Sequence, residues 1–524
     1  MLVQNGVVGD SRVQKQAESA AAAGWDVTLL GRSPDGQTRT WSLGGAEVRL
    51  LPVRRGFKRR RHELRSHWLR DPLAYPFGPI RVYRQRQIEA RHAEIGFIKA
   101  RQALDAREQP AIVTAARRLA LLLRRAAVRA AGAWVRLRSR RTMRLQQRRK
   151  DMTALLDRAA IACWKTVLGD RSWRRLDPAL WDLELAFGPA VDDLKPDIIH
   201  ANDFQMLGVG ARAAVRARAA GRGTRLVWDV HEYLPGIKSW IDHPAWKPAQ
   251  IAHENEFAPY ADAVVTVSET LADLLVDRHG LPERPAVVMN VPDLDGRTED
   301  EAPVPDLRER CGIDAATPLM VYSGAPMARR GLMTMVEALP ALPGVHAAFI
   351  VNRPEWSDVR NLGTRAEALS VAERVHVLPY VPHRQLVPHL AGADIGVIPI
   401  HHWLNHEIAL ITKFFEYSHA RLPIVVSDVE TMSAMVRRTG QGEVFRAEDT
   451  ADFTRAVRAV LEEPERYRRA YGDRVPLDAW TWDSQAAILD GVYRRVLAGE
   501  AAAEAAASGA DAPATREKTG TPAR

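Results

Sequence analysis

What most constrains this chain is an alternation of short, wholly apolar strands with helical stretches, and the alternation occurs twice. In the first half, "VQKQAESAAAA" (13–23) has a helical pattern that stops at Gly24, and "DVTLLG" (26–31) reads as a buried strand. "PDIIHAND" (196–203), "RLVWDVHE" (225–232), "DAVVTVSETLADLLVDRHG" (262–280) and "PAVVMNVPD" (285–293) continue the series, with Ser268 as the N-cap of a helix. After residue 307 come "PLMVYSG" (318–324), "HAAFIV" (346–351), "RVHVLPYV" (374–381), "DIGVIPI" (394–400) and "LPIVVSD" (422–428), separated by helical patterns. Apolar runs without polar alternation belong to parallel sheets covered by helices on both faces, so the chain is of the α/β class with two tandem units. Ligands of such sheets gather at the carboxyl ends of the strands, which here means the cleft between the units.

The segment from about 54 to 190 breaks the alternation. Arg54 to Lys150 holds 28 Lys and Arg against 6 Asp and Glu, a net of +22 in a chain whose total is +10, so the rest of the chain is net acidic. At its centre, "RRLALLLRRAAVRAAGAWVRLRSRR" (117–141) places Leu119, Leu122, Leu123, Ala126, Ala130, Ala133 and Trp134 on one helical face and Arg117, Arg118, Arg125, Arg129 and Arg136 on the other. Two readings stay open. The face lies on anionic lipid, or it packs on the domain while the arginines face water. Nucleic acid is disfavoured, since no aromatic interleaving or known nucleic-acid module accompanies the charge.

Cys163 and Cys311 are the only cysteines, too few for a disulfide framework or a zinc site, which suits a reducing, cytoplasmic setting. No run approaches the roughly 20 apolar residues of a membrane span, and no secretory leader is expected. The chain opens almost inside its first strand, which is therefore expected to be very short unless the true start lies elsewhere. The expected division is an N-terminal domain over 1–295 carrying the insertion, a C-terminal domain over 296–478 entered through the linker "EDEAPVPD" (299–306), a helix at 479–498 that packs back on the first domain, and a disordered low-complexity tail at 499–524.

The chemistry concentrates in the second unit. In "YSGAPMARRGLMTMVEAL" (322–339), Gly324 ends a strand where backbone can approach a phosphate, and Arg329 and Arg330 supply fork-shaped cations for its oxygens. Lys413 opens a second helix in "LITKFFEYSHARLPIVVSD" (410–428), with Glu416 three residues on. A Lys and a Glu at that spacing form an ordinary surface pair in most helices, but here two cations and a helix terminus could converge on one diphosphate. His401, His402 and His406 lack the scaffold of a metal site, and Asp293 to Asp295 reads as part of the linker, so no metal is expected.

The ordered motifs "DSRVQKQAESAAAAGWDVTLLG", "PDIIHANDFQML", "RLVWDVHEYLPG", "ADAVVTVSETLADLL", "YSGAPMARRGL", "ADIGVIPI" and "TKFFEYSHARLPIVVSD" resemble the retaining glycosyltransferases of family 4 over residues 3–53 and 190–497. The resemblance implies the GT-B fold: two Rossmann-like domains facing across a cleft, here with a basic helical insertion in the first. It also implies a hexose donor in the form of a nucleotide-diphosphate sugar as co-substrate, with no cofactor. Glu416 matches the family Glu that accepts from the ribose hydroxyls, Arg330 and Lys413 match the residues that hold the diphosphate, and His231 matches the histidine facing the donor sugar. Asp10, Arg12, His200 and Asp203 fall on loops where the family meets its acceptor. Two positions depart from the pattern. The Glu expected eight residues before Glu416 is Ile408, leaving Glu407 as the candidate for the sugar hydroxyls, and the Arg that often follows the first glycine of the phosphate loop is Ala325.

From these residues the expected activity is metal-independent hexosyl transfer with retention of anomeric configuration. Arg330 and Lys413 stabilise charge on the departing diphosphate, and domain closure excludes water. The acceptor is unknown, with a lipid-linked or cell-envelope glycan favoured, and the expected location is cytoplasmic or peripheral on the inner membrane face. The alternatives are a nucleotide-sugar epimerase on the same fold and a catalytically silent membrane-bound scaffold.

Overall fold

The computed structural model describes residues 1–57, 73, 75, 78–105, 110–145, 156–237, 245–294 and 303–509. The first part of the expected linker and the end of the tail therefore lie outside the described residues.

Two sheets form the frame, one wholly parallel and one parallel but for a hairpin. The N-terminal one contains β1 (Thr28–Arg32), β2 (Arg39–Leu43), β3 (Ala46–Leu51), β4 (Ile198–Asn202), β5 (Arg225–Val230), β6 (Ala263–Thr266) and β7 (Ala286–Val287). Its strands run in the orders β1-β3-β2 and β4-β5-β6-β7, and Leu2 bridges the two parts by pairing in parallel with Leu30 and with Ala201. Leu2 pairs here through isolated bridges alone. The C-terminal sheet, β8 (Leu319–Ser323) to β13 (Gly442–Phe445), has the order β10-β9-β8-β11-β12-β13, where β9 is His346–Val351, β10 Val375–Pro379, β11 Ile395–Ile398 and β12 Ile424–Ser427. All its pairings are parallel. The order reverses between β8 and β11, so the crevice that this topology builds opens beyond Ser323 and Ile398.

The hairpin β2–β3 is absent from the sequence reading. Its turn is Gly44–Gly45, both at positive φ (54° and 93°), a backbone that closes a two-residue hairpin without Cβ strain.

Among its described residues, the basic segment forms two long helices joined to the first domain. Helix α1 (Ser11–Ala22) covers one side of the sheet, and in the insertion α2 (Gly78–Asp105) packs on the helix Asp203–Ala219, with α3 (Ala111–Leu145) lying along α2 as an outer layer. At the join, Glu94 of α2 lies 2.9 Å from Arg174 Nη2 and 3.8 Å from Arg212 Nη2, whose guanidinium is buried against the rings of Trp181 and Phe257, 4.5 and 4.4 Å from their centroids. The closing helix, Trp482–Gly509, returns to the first domain, where Trp25 Nε1 donates to Asp490 and Met289 N donates to Gln485. It runs eleven residues into the stretch expected to be disordered, because "EAAAEAAA" is built of strong helix formers.

Candidate active site

The phosphate-side groups lie at the strand reversal of the second domain. After β8, Gly324 adopts φ 131°, and a Cβ there would sit 3.1 Å from Lys413 Nζ. The chain then makes a tight turn, Ala328–Arg330, and enters the helix Leu332–Ala338 through Gly331, at φ 71°. A Cβ on Gly331 would lie 1.7 Å from the Pro399 carbonyl oxygen, so only glycine lets the turn press against the end of β11. The turn separates two arginines. Arg329 stacks on Trp403, 4.6 Å from the ring centroid, whereas the Arg330 side chain has no hydrogen-bond or ion-pair partner among the described residues.

Lys413 occupies the first turn of the helix Thr412–His419, its ammonium 5.2 Å from the centroid of Tyr322. Burial pushes its pKa down to about 7, and Arg330 adds to that effect while Glu416 opposes it. Glu416 is 5% exposed, and burial raises its pKa against the pull of Lys413 and Lys15. The two residues form no ion pair, and no described residue donates a hydrogen bond to the Glu416 carboxylate. Both charges are therefore presented unpaired to the same crevice, at a desolvation cost that a bound ligand of opposite polarity would offset.

Across the cleft the first domain offers a buried chain of charge. Asp229, the fifth residue of β5, accepts Nε and Nη2 of Arg12 at 3.1 and 2.9 Å and Gln16 Nε2 at 2.6 Å. His231 lies with Nε2 at 3.2 Å from Asp229 and Nδ1 at 3.3 Å from Asp203. Burial works against the imidazolium, but Asp203 and Asp229 together outweigh it and raise the His231 pKa to about 9. Asp203, which opens its helix with the left-handed φ of 60°, is the half-buried end of this chain. Asp10 caps α1 through Val13 N and holds Asn5. Elsewhere in the first domain, a cavity of about 530 Å³ opens between Gln205, Gln4, Arg32, Arg55, Asp182 and Trp246, among others.

The two sides are joined by the loop that precedes Lys413. Trp403 Nε1 donates to Gly236 O at 2.6 Å, Ser268 Oγ donates to Ile408 O at 2.6 Å, and Asn290 Nδ2 donates to Thr412 Oγ1 at 3.0 Å.

Residues 167–295 match the profile of Glycosyltransferase Family 4 and residues 304–473 that of Glycosyl transferases group 1, together more than half of the chain. The chain belongs to the family 4 glycosyltransferases. This glycosyltransferase is 28% identical over 257 residues to D-inositol 3-phosphate glycosyltransferase of Xylanimonas cellulosilytica, covering 47% of this chain and 59% of that one. It is 29% identical over 256 residues to the protein of the same name from Geodermatophilus obscurus, covering 47% and 55%. The match thus spans somewhat over half the length of these relatives. Among solved structures, sucrose-phosphate synthase from Thermosynechococcus elongatus superposes over 93% of both chains with a TM-score of 0.56 at 14% identity, which shows the GT-B fold. The first profile starts at residue 167, inside the stretch that the sequence marked as insertion, so the helix Leu180–Leu194 belongs to the family's own domain and leads into β4.

In this family member the structure gathers Gly324, Arg330, Lys413 and Glu416 on one wall and His231 with Asp203 on the other. It moves others away. Arg12 and His200, expected to face the acceptor, are buried at 3% and 2% exposure: Arg12 is spent on Asp229 and Val288 O, and His200 Nδ1 lies 2.8 Å from Tyr493 Oη on the closing helix. Glu407 is engaged with His402 at 2.8 Å and accepts from Glu430 N, which leaves its carboxylate committed to the protein rather than to a sugar. His402 is shared between Glu407 and Asp428, and His406 Nδ1 lies 2.7 Å from His401 O, so these histidines brace the loop. No cluster of metal-ligating side chains occurs among the described residues.

The sequence reading missed Lys15. Buried on α1, it contacts Asn290 Oδ1 and Val291 O, lies 4.5 Å over Trp482, and acts electrostatically on Glu416 from the opposite domain. Its signal was available in helical spacing, since Arg12, Lys15 and Gln16 share one buried face of α1.

Proposed function

We propose that the chain transfers a hexose from a nucleotide-diphosphate sugar to an acceptor, with retention of anomeric configuration and without a metal. The observation that carries this reading is the set of unpaired charges at the strand reversal: Arg330 and Lys413 for the diphosphate, and Glu416 for the ribose hydroxyls. Cleavage at the anomeric carbon leaves an oxocarbenium-like sugar and a growing charge on the departing diphosphate, and two preplaced cations stabilise that charge without reorganising. His231 is an imidazolium at neutral pH, so it holds position and charge beside the donor sugar rather than abstracting a proton. The first-domain cavity lined by Gln205 and Trp246 offers room for an acceptor, which transfer needs and epimerisation does not. The relatives named above are glycosyltransferases by name; the hexose, the base and a lipid-linked or envelope acceptor are matters for the test. The expected setting is cytoplasmic.

Incubation with nucleotide-diphosphate sugars that differ in base and hexose, with and without cell lipid extract, separates the readings. Release of nucleoside diphosphate that rises with lipid supports transfer, and altered sugar without release supports epimerisation. Absence of binding supports a silent scaffold. Glu416→Ala is expected to weaken donor binding about 10- to 100-fold, the range for hydrogen bonds to a charged group. Wild-type affinity in that variant would overturn the donor site.

A further inference from the structure

Helix α3 turns to solvent the apolar face that its sequence periodicity marks out, and a different row of residues holds it to the protein. Leu121, Val128 and Val135, seven residues apart, are buried; the first two cluster with Ile95 of α2, flanked by Ile88 and Ile98. On the opposite side of the helix Ile112, Leu119, Leu122, Leu123, Trp134 and Leu137 are between 46% and 81% exposed. The strip runs for about 38 Å at 1.5 Å per residue. α3 carries ten arginines and no Asp or Glu. Arg118, Arg125, Arg129 and Arg136 fall along one border of the strip and have no ion-pair partner among the described residues.

We propose that α3 is a docking surface for anionic lipid, lying in the membrane plane with this strip at the boundary of headgroups and acyl chains and its arginines among the headgroups. A monomer rarely leaves so long an apolar strip in water without a partner. Charge decides which partner. A second copy packed strip to strip would bring two arginine rows together with no acidic residue on α3 to neutralise them. Nucleic acid would engage the arginines and leave the leucines and Trp134 in water. Anionic lipid satisfies both at once, through apolar burial and roughly 1 kcal/mol of attraction for each arginine near the surface. No helix among the described residues is long and apolar enough to cross a membrane, so the contact is interfacial. α2 lies between α3 and the helix that begins at Asp203, so docking brings the acceptor side of the cleft towards the lipid. The inference stands whether or not the transfer reading holds, because it uses none of the cleft residues.

The test is co-sedimentation of the full chain with vesicles of phosphatidylcholine alone or of an equimolar mixture with phosphatidylglycerol, at low salt. Binding to the mixed vesicles only is expected. Replacing Leu119, Leu122 and Trp134 together by Ser, all on the solvent side, is expected to lower partitioning at least tenfold with an unchanged thermal melt. Arg118→Gln, Arg125→Gln and Arg129→Gln are each expected to lower it about fivefold. Failure to bind mixed vesicles, or undiminished binding by the Ser variant, overturns the proposal. So does a dimer in size exclusion that the Ser variant abolishes, which assigns the strip to a second copy, and so does tight duplex DNA binding that survives the Ser variant and displaces the vesicles.

Discussion

Asp229 sets the electrostatics of the first domain. Burial alone would raise its pKa, but Arg12 and then His231 outweigh that and hold it well below the carboxylate range. Asp229→Asn leaves the Arg12 guanidinium buried without its counter-charge, a change that costs about 3–5 kcal/mol. The expected outcome is a fall of roughly 10 °C in the melting temperature of that domain by calorimetry. His231 gives the sign of the pH dependence. Its folded pKa of about 9 lies above the unfolded value near 6.5, so its contribution to stability is complete below pH 6.5 and is lost as pH rises to about 9. Asp203 and Asp229 both favour the charged ring, Asp203 first, and because burial also raises the pKa of Asp203 itself, a net effect on the order of 2 kcal/mol is expected. His231→Gln should flatten the loss of stability between pH 6.5 and 9 in urea titrations, and an unchanged slope would remove His231 from the network.

At the scale of elements, the helix Thr412–His419 shows how a local pattern becomes a site. Its first turn lifts Lys413 towards Gly324, and the next residues bury Phe414 and Phe415, which forces Glu416 inward with them. With a pKa of about 7, Lys413 is largely neutral at pH 8 in the empty site, and a bound diphosphate would favour its charged form. Binding of nucleoside diphosphate at pH 8 is therefore expected to take up close to one proton, measured by calorimetry in buffers of different ionisation enthalpy. Lys413→Arg should bind without that uptake, because the guanidinium is charged throughout. This wall of the site was legible in the sequence because Gly324, Arg330, Lys413 and Glu416 are set by short-range spacing on strand ends and helix starts. The strands were legible for a similar reason, being apolar on both faces, except where they are half polar, as in β2 and Gly442–Phe445. Arg12 and His200 were misplaced because their burial depends on Asp229 and Tyr493, more than 200 residues away in each case. The insertion was legible as a basic helix but not in its orientation, since two apolar rows compete for one neighbour and only the Leu121 row meets α2.

The two sheets are joined on the cleft side by the loop that precedes Lys413, and away from it by the closing helix, which meets Trp25 and Met289, and by Lys15 against Trp482. Trp403 reaches Gly236, whose missing Cβ makes room for Asn405 within 2.6 Å, and the carbonyl of Ile408 accepts from Ser268 while its side chain packs into the core of the first domain. The residue that stands where a second sugar-binding Glu was expected is thus spent on holding the domains together. Trp403 also carries Arg329 on its ring, which links the interdomain contact to the phosphate turn. If this loop keeps the cleft closed around a donor, loosening it should admit water before it harms the site. The double variant Ser268→Ala, Trp403→Phe removes the two interdomain hydrogen bonds, each worth about 1 kcal/mol, together with the Ser268 cap on Leu271 N, while keeping an aromatic ring for Arg329. Its expected signature is a larger radius of gyration by solution scattering in the presence of nucleoside diphosphate. About tenfold more donor should be hydrolysed per sugar transferred, with donor affinity changed less than threefold. An unchanged ratio of hydrolysis to transfer would mean that the loop holds the domains together without controlling water, and that exclusion of solvent must be sought elsewhere in the cleft.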